Sequence, residues 1–256
     1  MSLTFRQKLK IAGKLAAMVP AFAVGLPAQW LALRFSPSLS RRLPLIFHRY
    51  LAYVIGVRIL REGHLAQGPV MLVSNHVSWL DIVVLSACHP VSFIAKSEVG
   101  TWPFVRTLAR LQRSVFVERD RRAKTGAVNA EIAGRLEKGD AMVLFAEGTT
   151  SDGLRVLPFR SAILGAAQGG EMQLQPLAIR YIKRAGLPIG RAEMPEIAWY
   201  GDMDLGPHLA ELLAGPPIIV KVCLGSAQPV ERDRKAQARS LETSVRVAFE
   251  AAARAR

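Results

Sequence analysis

At 256 residues the chain is long enough for one large domain or two small ones. Half of it is hydrophobic and only 21% charged, which excludes global disorder, while 34 Lys and Arg with 20 Asp and Glu leave no room for a polytopic membrane protein. The net charge of +14 asks for an anionic partner: nucleic acid, lipid headgroups or an acidic substrate. Cys88 and Cys223 form no motif with each other or with a histidine, so a disulfide scaffold and a structural zinc site are excluded, and both thiols read as small buried apolar residues.

In residues 1–62, Arg6, Lys8, Lys10, Lys14, Arg34, Arg41, Arg42, Arg49, Arg58 and Arg61 face Glu62 as the one acid. They are interleaved with apolar residues rather than gathered in a run, as in a segment that lies on an anionic membrane; a nucleic-acid arm would be more polar. Residues 15–33 carry no charge. As a helix they would be about 28 Å long, close to the ~30 Å hydrocarbon core, but Pro20, Gly25 and Pro27 argue against one straight span. A second apolar stretch covers Leu43 to Leu60. The pair reads as a helical hairpin embedded in one leaflet, or as one short span plus an interfacial helix. A cleaved signal peptide fits less well, because Gln29-Trp30 is a poor cleavage neighbourhood and Arg34 follows at once.

From Pro69 the pattern changes to β-branched runs alternating with helical stretches. Val70–Ser74, Val91–Ala95, Ser114–Glu118, Ala141–Ala146, Leu174–Ile182 and Ile218–Leu224 read as strands, several of them apolar throughout, as in a sheet covered on both faces. Trp79–Ala87, Pro103–Leu111, Thr125–Glu137, Ser161–Gly169 and Arg232–Arg256 suit helices, while Gly186–Arg191 and Gly215–Pro217 read as loops. The expected fold is α/β: a mixed, mainly parallel sheet flanked by helices in residues 63–256, preceded by a membrane-embedded helical hairpin in residues 1–62.

Three stretches carry chemistry. The first strand runs into Asn75-His76 and reaches Asp81 five residues after the histidine, a spacing that lets a turn fold the carboxylate onto the imidazole and leave the other ring nitrogen as a base. Glu147-Gly148-Thr149-Thr150 follows a strand end, a turn suited to polyol hydroxyls or an oxyanion. Phe116 to Arg119 delivers an arginine, a bidentate phosphate ligand, into a polar loop.

In this order the stretches resemble the glycerolipid acyltransferase family. Its NHxxxxD block matches Asn75, His76 and Asp81; its second block matches Phe116 to Arg119; its F-P-E-G-T-R-S block matches Phe145 to Ser151; its proline-containing strand matches Gln175 to Ile179. Leu157 to Arg160 is similar to the family's basic stretch after the third block. The resemblance implies that His76 deprotonates the acceptor hydroxyl and Asp81 orients it, with Asn75, Arg119, Glu147, Gly148, Thr149 and Arg160 binding substrate. It implies direct attack of a lysolipid on an acyl thioester of coenzyme A or acyl carrier protein, with no further cofactor, metal or protein nucleophile; Ser78 lacks a nucleophile-elbow context. Thr150 departs from the family's arginine, which is thought to hold the acceptor's phosphate, and leaves Arg119 as the main phosphate ligand, with Arg155 or Arg160 as substitutes. The expected reaction converts 1-acyl-sn-glycerol-3-phosphate to phosphatidate, and the alternative is acylation of lyso-ornithine lipid. The expected partners are the lysolipid, the thioester donor and an anionic membrane, not nucleic acid, at the cytoplasmic face of the inner membrane. A non-catalytic basic binding protein would explain the charge but not the four ordered blocks.

Overall fold

The computed structural model describes residues 3–96, 103–117, 122–167 and 172–254. Helix α1 (Phe5–Phe35) starts at a capping box, in which the Thr4 hydroxyl accepts from Gln7 N and the Gln7 side chain accepts from Thr4 N. It runs through Pro20 and Pro27 without ending. Ser36 caps α2 (Pro37–Ile55), with Pro37 at the first helical position, and the two helices form an antiparallel hairpin. Phe22 meets Phe47 edge to face at 5.2 Å, and Tyr50 donates to the Ala17 carbonyl at 2.7 Å.

The second apolar stretch is not helical to its end. Gly56, at φ 92°, closes α2 in the left-handed region, and the β-branched residues after it form β1 (Val57–Glu62). β1 pairs in parallel with β8 (Ile218–Leu224) from Val57 to Glu62, so the sheet begins inside the segment expected to be wholly helical.

The remaining elements are β2 (Val70–Ser74), α3 (Leu80–Cys88), β3 (Val91–Lys96), α4 (Pro103–Leu111), β4 (Val115–Val117), α5 (Arg122–Glu137), β5 (Ala141–Phe145), β6 (Gln173–Arg184), β7 (Leu187–Pro188), α6 (Leu205–Ala214), β9 (Gln228–Pro229) and α7 (Arg234–Arg254). The expected helix over Ser161–Gly169 is a short 3-10 turn at Ile163–Ala167, and α6 was not foreseen. The sheet runs β1-β8-β6-β2-β5-β3-β4 and is parallel along this path except at the antiparallel β6–β8 junction, with the short β7 and β9 antiparallel on β6.

Alternation sorts each strand between two cores. Leu72, Val143, Phe145, Ile179 and Tyr181 face one side with α2, α3 and α6; Met71, Val73, Leu144 and Ala178 face the other with α5 and α7. β2 and β5 are apolar throughout because both faces are covered. Cys88 and Cys223 are buried, and burial pushes the Cys88 thiol up to about 11, so it stays protonated.

Candidate active site

The site forms where the parallel strands end at their carboxyl edge, the place at which open α/β sheets present their ligand-binding loops. Ser74 and Phe145, the last residues of β2 and β5, are register partners, so His76 and Glu147 leave the sheet side by side. Phe145 lies flat beneath the imidazole, with ring centroids 3.8 Å apart and planes 12° apart, and Phe93 lies next to it at 6.0 Å. The histidine therefore rests on an aromatic shelf on the same face of the sheet as the α1–α2 hairpin.

Asp81 sits in the first turn of α3 and is fully buried. One of its oxygens, Oδ2, accepts from Val77 N at 2.7 Å, from Ser78 N at 3.0 Å and from His76 Nδ1 at 2.8 Å. The other, Oδ1, accepts from the Tyr181 hydroxyl at 2.7 Å. Trp79, at the N-cap, offers no side-chain cap, and Leu80 N donates instead to Ser78 Oγ at 3.3 Å; Asp81 gathers the two amides just before the helix and lies at the positive end of its dipole. An ionised acceptor at Nδ1 keeps the proton there and leaves Nε2 as the basic nitrogen. With 19% of its side chain exposed, His76 is reachable from outside.

The other expected site residues are placed as follows. Glu147 is 1% exposed, and both its oxygens are engaged by the main chain, Oε2 by His76 N at 3.1 Å and Oε1 by Leu157 N at 2.8 Å. Desolvation raises its carboxyl to about 8, ahead of the two amides, which pull the other way. It ties two loops together instead of facing substrate. Asn75 is also buried: its Nδ2 donates to the Ile179 carbonyl at 3.0 Å and its Oδ1 accepts from Ile179 N at 2.9 Å. Its amide continues the β2–β6 ladder beyond the end of β2, in place of the expected contact with substrate. Gly148 is buried at φ 73°, with its N–H on the Phe145 carbonyl. Thr149, Arg155 and Arg160 are exposed. Arg119 lies outside the described residues.

The turn is clamped to the histidine loop. Ser151 N donates to the His76 carbonyl at 2.8 Å, and a Cβ on Gly153, at φ 72°, would stand 2.8 Å from Val77 Cγ1 and collide with Met194. Only glycine fits that approach. Among the described residues no three His, Cys, Asp or Glu side chains are gathered as a metal ion would require.

Tyr181 was not foreseen, because only the pairing of β6 with β2 brings it to a residue one hundred positions earlier in the chain. The Trp79 indole N–H donates to His208 Nδ1 on α6 at 3.0 Å, a contact with no local sequence signal either.

Residues 55–180 match the family model of the acyltransferases. A lyso-ornithine lipid O-acyltransferase of Brucella abortus is 50% identical over 249 residues, 93% of this chain and 92% of the relative. The chain belongs to the acyltransferase family. A 1-acyl-sn-glycerol-3-phosphate acyltransferase of Neisseria gonorrhoeae is 31% identical over 75% of this acyltransferase and 74% of the relative. The crystal structure of the 1-acyl-sn-glycerophosphate acyltransferase PlsC of Thermotoga maritima superposes with a TM-score of 0.68 over 98% of both chains at 18% identity, which shows the common fold. The family expected from the four blocks is thus the family found, and the acyltransferase keeps its mixed α/β architecture.

Proposed function

We propose that this acyltransferase is a membrane-associated O-acyltransferase that moves a fatty acyl group from the thioester of coenzyme A or acyl carrier protein to the free hydroxyl of a lysolipid. The observation that carries the reading is the 2.8 Å contact of His76 Nδ1 with a buried, four-times-bonded Asp81, which leaves Nε2 as a base at an accessible edge of the sheet. Nε2 takes the acceptor's proton as its oxygen attacks the thioester carbonyl. The tetrahedral intermediate collapses with loss of the thiolate, and the imidazolium gives up its proton as the thiol forms. A thiol of pKa near 8.5 is a good leaving group, so a base and a positioned acceptor carry most of the barrier reduction.

Of the two acceptors, lyso-ornithine lipid is better supported. Thr150 stands where the resemblance calls for a phosphate-holding arginine, and a relative that shares half its residues across nearly the whole chain carries that acceptor in its name. Lysophosphatidate remains the second reading through the gonococcal relative. In this reading the enzyme works at the cytoplasmic face of the inner membrane, because a thioester of coenzyme A or acyl carrier protein is a cytoplasmic donor.

The test is thiol release from acyl-coenzyme A and acyl carrier protein, measured with a panel of lysolipids that differ in headgroup. The expected result is greater turnover of lyso-ornithine lipid than of lysophosphatidate, no turnover in His76→Ala, and a shift towards lysophosphatidate in Thr150→Arg, since a charge-assisted hydrogen bond contributes roughly 1.5–3 kcal/mol. Absence of thiol release with every lysolipid would overturn the assignment; preference for lysophosphatidate in the unaltered enzyme would move it to the second acceptor.

A further inference from the structure

Among the described residues the hydroxyl of Tyr181 is the one donor to Asp81 Oδ1, whereas Oδ2 takes three. β6 is twelve residues long, and Leu177 is its partner for the last residue of β2. The strand therefore continues past the β2 terminus, and Asn75 holds this overhang at Ile179. Two residues on, with the same facing as Ile179, Tyr181 points into the core beneath α3. Its side chain is buried, at 4% exposure, and sealed from any substrate.

We propose that Tyr181 is a positioning residue for acyl transfer: its hydroxyl fixes the rotamer of Asp81 and draws part of the carboxylate's negative charge away from the imidazole. The proposal rests on the assignment of His76 as the base. Desolvation and the Asp81 charge both raise the Tyr181 phenol well above its usual value, so it remains a donor throughout the working range of pH.

The direction of its influence follows from electrostatics. The positive end of the Tyr181 O–H dipole is attracted to the carboxylate and repelled by an imidazolium. It favours the pair as carboxylate and neutral imidazole, the state competent to take a proton, over carboxylate and imidazolium. Without it the pair holds its proton more tightly. Among the described residues the other titratable groups drawn close are Glu147, on the turn after β5 and hydrogen-bonded to His76 N, Asp152, whose charge reaches Glu147, and His208 on α6, which accepts from the Trp79 indole. All three are common to the enzyme and its Tyr181 variants, so the difference between their pH profiles reports Tyr181.

The experiment measures kcat and KM for the lysolipid across pH in the full chain, with Tyr181→Phe and with 3-fluorotyrosine at position 181. Tyr181→Phe should lower kcat about tenfold, change the lysolipid KM by less than about twofold and move the acid limb of kcat/KM up by about half a unit or more. The fluorinated phenol, a stronger donor of nearly the same shape, should move that limb down, and it keeps the proposal testable if the phenylalanine variant does not fold. A limb that stays in place in the folded variants overturns the proposal even where kcat falls, because a packing role would not move it. His76→Ala separates the two assignments. Loss of activity there with an unmoved limb in the Tyr181 variants removes Tyr181 only; retained activity removes the base and the proposal together.

Discussion

Two buried carboxylates in the same loops differ in their donors, four hydrogen bonds reaching Asp81 and two reaching Glu147. Asp81 takes two amides, an imidazole and a phenol, while Glu147 has two amides set against a large desolvation penalty. A pH dependence follows. The Glu147 carboxyl rises from 4.5 to about 8 on folding, so between those values the folded chain binds a proton that the unfolded chain has lost. Its contribution to stability is full below the unfolded value and declines as pH rises towards about 8. In Glu147→Gln this decline disappears, while the unfolding midpoint near pH 5 drops, since an amide nitrogen cannot accept from a main-chain N–H and one buried donor loses its partner at about 1–3 kcal/mol. Denaturant unfolding from pH 5 to 9 checks both; a slope equal to the unaltered enzyme's would mean that Glu147 is ionised throughout. The sequence motif singled out Glu147, but the number and orientation of its donors depend on burial and on Leu157, so its tie between loops was not legible. The His76–Asp81 contact was legible because one turn contains it.

The ends of elements decide how the site is held. β2 stops at Ser74, and the ladder goes on only because an asparagine side chain imitates a peptide group with both a donor and an acceptor. Asn75→Ala leaves the Ile179 N–H and carbonyl unpaired in the core, a loss of about 2–4 kcal/mol from two buried groups. Asn75→Asp keeps the acceptor but loses the donor to the carbonyl and adds a buried charge, so it should not restore stability. Chemical denaturation of the three proteins checks this, and an alanine variant as stable as the unaltered chain would show the contact to be dispensable. The strands β2, β3, β5, β6 and β8 were readable as apolar runs with turn residues between them. β1 was not, because Val57–Leu60 continues the apolar character of α2 and only Gly56 separates them. α6 was missed because its helical character rests on packing: its His208 accepts from Trp79, and Lys10 of α1 donates to the carbonyls of Ala214 and Gly215 at its end.

Across the whole molecule, charge and apolar surface divide the work of meeting a membrane. Several cations of the hairpin are bonded to the body, Lys10 on the end of α6, Arg41 on Asp140 and Arg49 on the carbonyl of Ala87, while Lys14 on the Ile55 carbonyl ties α1 to α2. These contacts fix the hairpin to the sheet face that carries His76. What it offers outward is apolar: Val24 is 70% exposed, Phe35 79% and Tyr53 82%, with the Arg34 guanidinium 4.8 Å above the exposed Trp30 ring. α1 is also long and apolar enough to cross a membrane, with none of that window buried in the protein. An exposed apolar band beside a lipid-modifying site belongs in the bilayer boundary. Val24→Asp with Phe35→Asp removes burial contributing roughly 1.5–3 kcal/mol per side chain and adds two charges, so binding to phosphatidylglycerol-containing vesicles should weaken at least a hundredfold. The midpoint of thermal unfolding should hardly change, because neither side chain is buried in the fold. Co-sedimentation over a range of lipid concentrations measures the first, and equal binding by the double variant would place the membrane face elsewhere. Raising the salt should weaken the unaltered enzyme's binding only in part, because the exposed Arg6, Lys8, Arg34 and Arg42 contribute the screened fraction and the apolar band the remainder.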